Sequence, residues 1–257
     1  LQGPFHLRKR TIFLALALAL AAASALLPFA GCTRLRPATV PLRTVRYPGA
    51  GSPRTLVVLL PGRSDVPEDF GRRGFPARAA AAGLDVDMIA VDAHLAYYYN
   101  GTIVDRLRED VIGPARRRYD HIWLAGISIG GTGALLYASQ HSEDVDGLVV
   151  LAPFLGDDKV IAEIAKAGGP RAWSPAAPLP ADDFQHRLWV WLRQLGEAGK
   201  PPLPIFLGYG RSDSFARANG MMGTLLDPAR LFTAPGGHAW KAWNDLWDQV
   251  LRAGAFR

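Results

Sequence analysis

Cysteine is nearly absent from the 257-residue chain. With Cys32 alone no disulfide can close within the molecule, so a folded domain must be held by its apolar core. Histidine is scarce as well, and neither His94 nor His121 has a partner at metal-ligand spacing, so the sequence predicts no metal site, and the chemistry read from the motifs below calls for no cofactor. Charge of one sign is not in excess. Arg8, Lys9 and Arg10 account for half of the formal charge of +6, and from Cys32 onward 26 basic residues face 23 acidic ones. No basic stripe with interleaved aromatics is present, which argues against a nucleic-acid partner, and no internal repeat suggests a solenoid.

What the chain does have is apolar residues, 49% of the total, enough for one large α/β domain. From Thr55 short apolar blocks alternate with amphipathic runs. Thr55 to Leu60, Asp87 to Val91, Ile122 to Ile127, Gly147 to Leu151 and Pro204 to Tyr209 read as strands, with a first edge strand around Thr44 to Tyr47. Helical patterns cover Phe75 to Ala82, Val104 to Tyr119, Gly131 to Gln140, Phe215 to Leu226 and Ala239 to Arg252. This alternation predicts a mostly parallel central sheet with helices on both faces. Residues 54–257 form the expected domain, preceded by a tether and first edge segment over 32–53. Gly156 to Lys200 breaks the alternation and is read as a small lid-like insertion, in which Phe184, Leu188, Trp191, Leu192 and Leu195 recur at helical spacing. Such a face either packs on the domain or covers a substrate. Trp240, Trp243 and Trp247 recur at helical spacing and are expected to form a core face.

The N-terminus has its own layout. Basic Arg8 to Arg10 precede the uncharged Thr11 to Ala30, as in a secretory signal peptide over 1–31, and the run is long enough to serve as an uncleaved inner-membrane anchor. Phe29-Ala30-Gly31-Cys32 resembles the lipobox of bacterial lipoproteins. That resemblance implies export, lipidation of Cys32 and anchoring on the periplasmic side of a bacterial envelope membrane. Ordinary cleavage after Ala23-Ser24-Ala25 is the alternative.

Chemistry enters with Gly126-Ile127-Ser128-Ile129-Gly130, set between an apolar strand and a helix-forming run. A serine on so tight a turn is a candidate nucleophile, and its hydroxyl needs a base that is itself oriented by a third group. Downstream, Gly210-Arg211-Ser212-Asp213 puts a carboxylate just past a strand, and Pro235-Gly236-Gly237-His238 puts an imidazole on a glycine-rich loop before the last helix. Asp157 and Asp158, after the preceding strand, are the rival acids.

Over essentially all of Thr55 to Arg252 these motifs and their order resemble the esterase/lipase-type serine hydrolases of the α/β-hydrolase superfamily. The resemblance implies Ser128 as nucleophile, His238 as general base and then acid, and Asp213 as its partner, acting on a small-molecule or lipid-like ester through an acyl-enzyme. It also implies two backbone N–H donors for the oxyanion, from Ile129 and from Arg63 in Leu60-Pro61-Gly62-Arg63, where the family often has His-Gly before the donor. An acyltransferase or a lipid-anchored binding module without activity would share the same framework. Tyr97, Tyr98 and Tyr99 follow a strand end, where they either line a pocket or pack on neighbouring loops.

Overall fold

The computed structural model describes residues 36–195 and 203–256. The leader, Cys32 and the last part of the insertion lie outside the described residues. Pro37 onward belongs to one compact unit. The segment before the first strand is part of that unit, since Leu42 is buried and its N–H donates to Asp110 Oδ2 at 2.8 Å.

Seven strands make one sheet: β1 (Thr44–Tyr47), β2 (Thr55–Leu60), β3 (Asp87–Val91), β4 (His121–Ile127), β5 (Gly147–Leu151), β6 (Ile205–Gly210) and β7 (Leu231–Ala234). Their spatial order is β1-β3-β2-β4-β5-β6-β7, and every pairing is parallel except that of β1 with β3. The interior strands are apolar on both faces, as a sheet covered on both sides requires. Side chains alternate between two cores. Leu56, Val58, Leu124, Val150 and Leu207 enter one of them. Val57, Leu59, Ala125, Val149 and Phe206 enter the other.

Nine helices are labelled here among the described residues: α1 (Glu68–Arg72), α2 (Phe75–Ala81), α3 (Leu95–Tyr99), α4 (Ile103–Leu107), α5 (Ile129–Gln140), α6 (Asp158–Lys166), α7 (Phe184–Gln194), α8 (Ala216–Gly223) and α9 (Trp240–Arg252). The first core is covered by α4, α5, α6, α7 and α8, and the second by α1, α2 and α9. After α4 the chain passes through a π-turn, Arg108–Ile112, into a last short turn, Gly113–Ala115. The helix expected to reach Tyr119 thus ends four residues early, and Pro114, which has no N–H to donate to Asp110 O, places the break in regular helix at the π-turn before it.

The insertion holds two helices where the sequence reading gives one. In α6 the side chains of Val160, Ile161 and Ile164 are buried. In α7 Leu188, Trp189 and Leu192 are buried, while Phe184 is exposed and Trp191 only packs at the edge of the core. The buried face is thus rotated from the expected one, with Trp189 donating from Nε1 to Leu155 O at 2.7 Å. These contacts are packing contacts of a layer helix.

Candidate active site

In a parallel sheet the carboxyl ends of the strands lie together, so the loops after β2, β4, β5, β6 and β7 converge at one end. Ser128 sits between β4 and α5 with φ 55° and ψ −120°, a positive-φ conformation that non-glycine residues rarely adopt. Close packing enforces it. A Cβ on Gly126 would stand 2.2 Å from Gly130 O, and one on Gly130 would stand 2.2 Å from Leu60 O, so glycine is required on both sides of the turn. The Ser128 N–H donates to Leu151 O at 2.9 Å, and its carbonyl accepts from Thr132 N at 3.1 Å and Phe154 N at 3.3 Å.

The structure brings Ser128, His238 and Asp213 together. His238 Nε2 lies 2.9 Å from Ser128 Oγ, and His238 Nδ1 lies 2.9 Å from Asp213 Oδ2 and 3.1 Å from Oδ1. A carboxylate only accepts, so Nδ1 carries the proton and the Nε2 lone pair accepts from the serine hydroxyl. The Asp213 side chain is wholly buried, whereas that of His238 retains 27% of its exposure. Asp213 has a second task, since its Oδ1 accepts from Phe215 N at 2.8 Å. The imidazole stands edge-on to Phe215 at 4.9 Å and to Trp243 at 5.1 Å between centroids.

Asp157 and Asp158 are exposed, and Asp157 caps α6 by accepting from Lys159 N and Val160 N at 3.0 and 3.1 Å. Between the rival carboxylates, it is Asp213 that faces His238. Ile129 is the first residue of α5, where a helical N–H has no partner within the helix. Arg63 lies in a turn closed by the Asp65 N–H donating to Gly62 O at 3.1 Å, and its side chain is exposed. A Cβ on Gly62 would come within 3.8 Å of Ser128 Cβ, so this loop borders the serine.

Four further residues around the serine gave no signal in the sequence motifs. Phe154 and Phe215, 5.6 Å apart edge-to-face, come from the loops after β5 and β6. Buried Asn219 of α8 holds those two loops together by donating to Pro153 O at 3.1 Å and Phe215 O at 2.8 Å. Asp65 is half-buried, and burial pushes its carboxyl above the ordinary range although the Trp240 N–H that it accepts pulls the other way. The three tyrosines diverge. Tyr97 is buried and bonded to Thr39, Tyr99 is exposed, and the Tyr98 hydroxyl is buried without a partner among the described residues.

His121 bonds to Asp146 at 3.3 Å at the opposite end of β4, and the ring of buried His94 packs at a tilt against Tyr97, 4.8 Å between centroids. Among the described residues, the group His141, Glu143 and Asp144 brings possible ligand atoms within 4.8 Å of one another. Its Asp144 accepts from the Tyr137 hydroxyl at 2.9 Å and faces Arg108 Nε at 3.7 Å, so it is already engaged.

No protein family and no curated protein matches the chain by sequence. Solved structures match it by shape. An S-formylglutathione hydrolase from Staphylococcus aureus superposes with a TM-score of 0.60 at 14% identity, over 82% of this chain and 97% of that one. Est1E from Butyrivibrio proteoclasticus gives 0.57 at 15% identity, over 84% and 94%. A fluorophosphonate-binding serine hydrolase from Staphylococcus aureus gives 0.55 at 13% identity, over 82% and 98%. At such identities the likeness establishes the fold, which is that of the α/β-hydrolases.

Proposed function

We propose that the protein is a serine hydrolase that cleaves carboxylic esters. The hydrogen-bonded row from Asp213 through His238 to Ser128 carries this reading. Similarity in fold to an S-formylglutathione hydrolase and to Est1E, which has been seen with ferulic acid bound, supports it. As the Ser128 hydroxyl attacks the ester carbonyl, its proton passes to His238 Nε2, and buried Asp213 stabilises the imidazolium that forms. The tetrahedral oxyanion takes N–H bonds from Ile129 and Arg63. His238 returns the proton to the departing alcohol, leaving Ser128 acylated. Water then attacks the acyl carbon, giving its proton to His238, and as the second tetrahedral intermediate collapses His238 passes that proton to Ser128 Oγ, which leaves as the free hydroxyl with release of the carboxylic acid.

A fluorophosphonate probe should label Ser128 in the wild-type protein and leave a Ser128→Ala variant unmarked, and the variant should lose ester turnover. A well-folded wild-type protein that ignores the probe would overturn the assignment.

We further propose that the chain is exported and held on an envelope membrane through lipid on Cys32. Support comes from the sequence, namely the basic Arg8 to Arg10, the apolar Thr11 to Ala30 and the small Ala30 and Gly31 before Cys32. A clickable fatty acid fed to expressing cells should mark the wild-type chain and not Cys32→Ser.

A further inference from the structure

The loop after β2 and the segment after β7 are joined by one side-chain hydrogen bond. Trp240 Nε1 donates to Asp65 Oδ1 at 3.0 Å, linking residues 175 positions apart. Asp65 closes the turn that carries Arg63, through its N–H to Gly62 O at 3.1 Å. A Cβ built on Gly62 would meet Asp65 Oδ2 at 2.6 Å and Ser128 Cβ at 3.8 Å, so Asp65, Gly62 and Ser128 pack in a row. On the other side, Trp240 opens α9 two residues after His238. Its indole is edge-on to Trp243 at 5.4 Å, and Trp243 is edge-on to His238 at 5.1 Å. Phe70 and Phe75 hold the same indole from α1 and α2 at 5.8 and 5.6 Å, and the Arg73 guanidinium lies 5.5 Å over it.

We propose that the Asp65–Trp240 hydrogen bond is a strut that sets the spacing between the Arg63 N–H and the base His238, which makes Asp65 and Trp240 positioning residues. This rests on the ester-hydrolase reading. The two oxyanion donors differ in how they are fixed. Ile129 is placed by the junction of β4 and α5, whereas Arg63 and Ser64 form the exposed tip of a turn. A donor on such a tip has to be held from outside, because a displacement of about 1 Å is enough to cost a large part of the rate. Trp240 is suited to hold it, being clamped by aromatic rings from two helices. The oxyanion exists only in the tetrahedral stage, so loss of the strut should reduce kcat and spare KM.

In the full chain with a soluble ester, Asp65→Ala and Trp240→Phe are each expected to lower kcat about tenfold with KM changed less than about twofold. Trp240→Phe keeps the aromatic ring and removes only the donor. The double variant should fall no further than either single one, since both remove the same contact. Asp65→Asn, which retains an acceptor oxygen, should keep most of the rate. Unchanged kcat in both single variants, or losses that multiply in the double variant, would overturn the strut while leaving the hydrolase reading intact. Full ester turnover by Ser128→Ala would instead overturn the reading on which it rests, and the strut with it.

Discussion

Asp213 shows how one side chain, by fixing the tautomer of its neighbour His238, can act on a hydroxyl two hydrogen bonds away. Its Oδ1 is committed to Phe215 N, so in Asp213→Asn the amide oxygen must stay there and the amide NH2 must face His238 Nδ1. A donor at that position forces Nδ1 to accept and puts the imidazole proton on Nε2, which then cannot receive the Ser128 proton. Ester turnover should drop by about three to four orders of magnitude with little change in the unfolding midpoint, read by steady-state kinetics and urea titration. Tyr98 gives the opposite case, a residue whose polar atom contributes nothing visible. Its hydroxyl is buried without a partner among the described residues, and burial pushes it well above the ordinary phenol range. Tyr98→Phe should leave the protein as stable or about 1 kcal/mol more stable in urea, because the desolvation cost disappears. Residues of the first kind are legible in sequence because each stands on a local signature: a glycine-flanked turn for Ser128, and strand-end loops for Asp213 and His238. Asp65, Trp240, Phe154 and Phe215 are not, since what gives them a place at the site is contact across many residues. Trp240 reads as one more member of a core stripe, and its hydrogen-bonding nitrogen has no counterpart in the periodicity.

At the scale of elements, strands are read more faithfully than helices. A fully buried parallel strand announces itself as an apolar run, whereas α6 and α7 lie among proline- and glycine-rich stretches that hide their boundaries. The same two helices carry a titratable joint. His186 of α7 lies 2.7 Å from Asp183 and 3.1 Å from Glu163 of α6, and its ring stacks on Trp173. Desolvation lowers the affinity of this imidazole for its proton, but Glu163 and Asp183 outweigh it and raise the group above its ordinary value. A raised imidazole contributes stability that is complete below the unfolded value of about 6.5 and is lost as pH climbs through the folded one. Urea midpoints should therefore fall between mildly acid and alkaline pH in the wild-type protein. His186→Gln should show a smaller fall, and an equal fall in both would dismiss the joint.

For the molecule as a whole, each interior strand contributes alternate residues to both cores, so neither side can come apart without exposing the other. Tryptophans report on both, Trp173 and Trp189 in one core and Trp123, Trp243 and Trp247 in the other. Fluorescence and far-ultraviolet circular dichroism should then trace coincident urea transitions; separated midpoints would mean that one layer unfolds first. With no disulfide within the chain to fall back on, this shared sheet is what resists unfolding. Against it stands Ser128, held at φ 55° in a conformation that glycine adopts freely. Ser128→Gly should raise the melting temperature while removing the nucleophile. A directed-evolution campaign that rewarded heat tolerance alone would accordingly drift toward dead proteins, and any selection for a sturdier variant must score turnover in the same round.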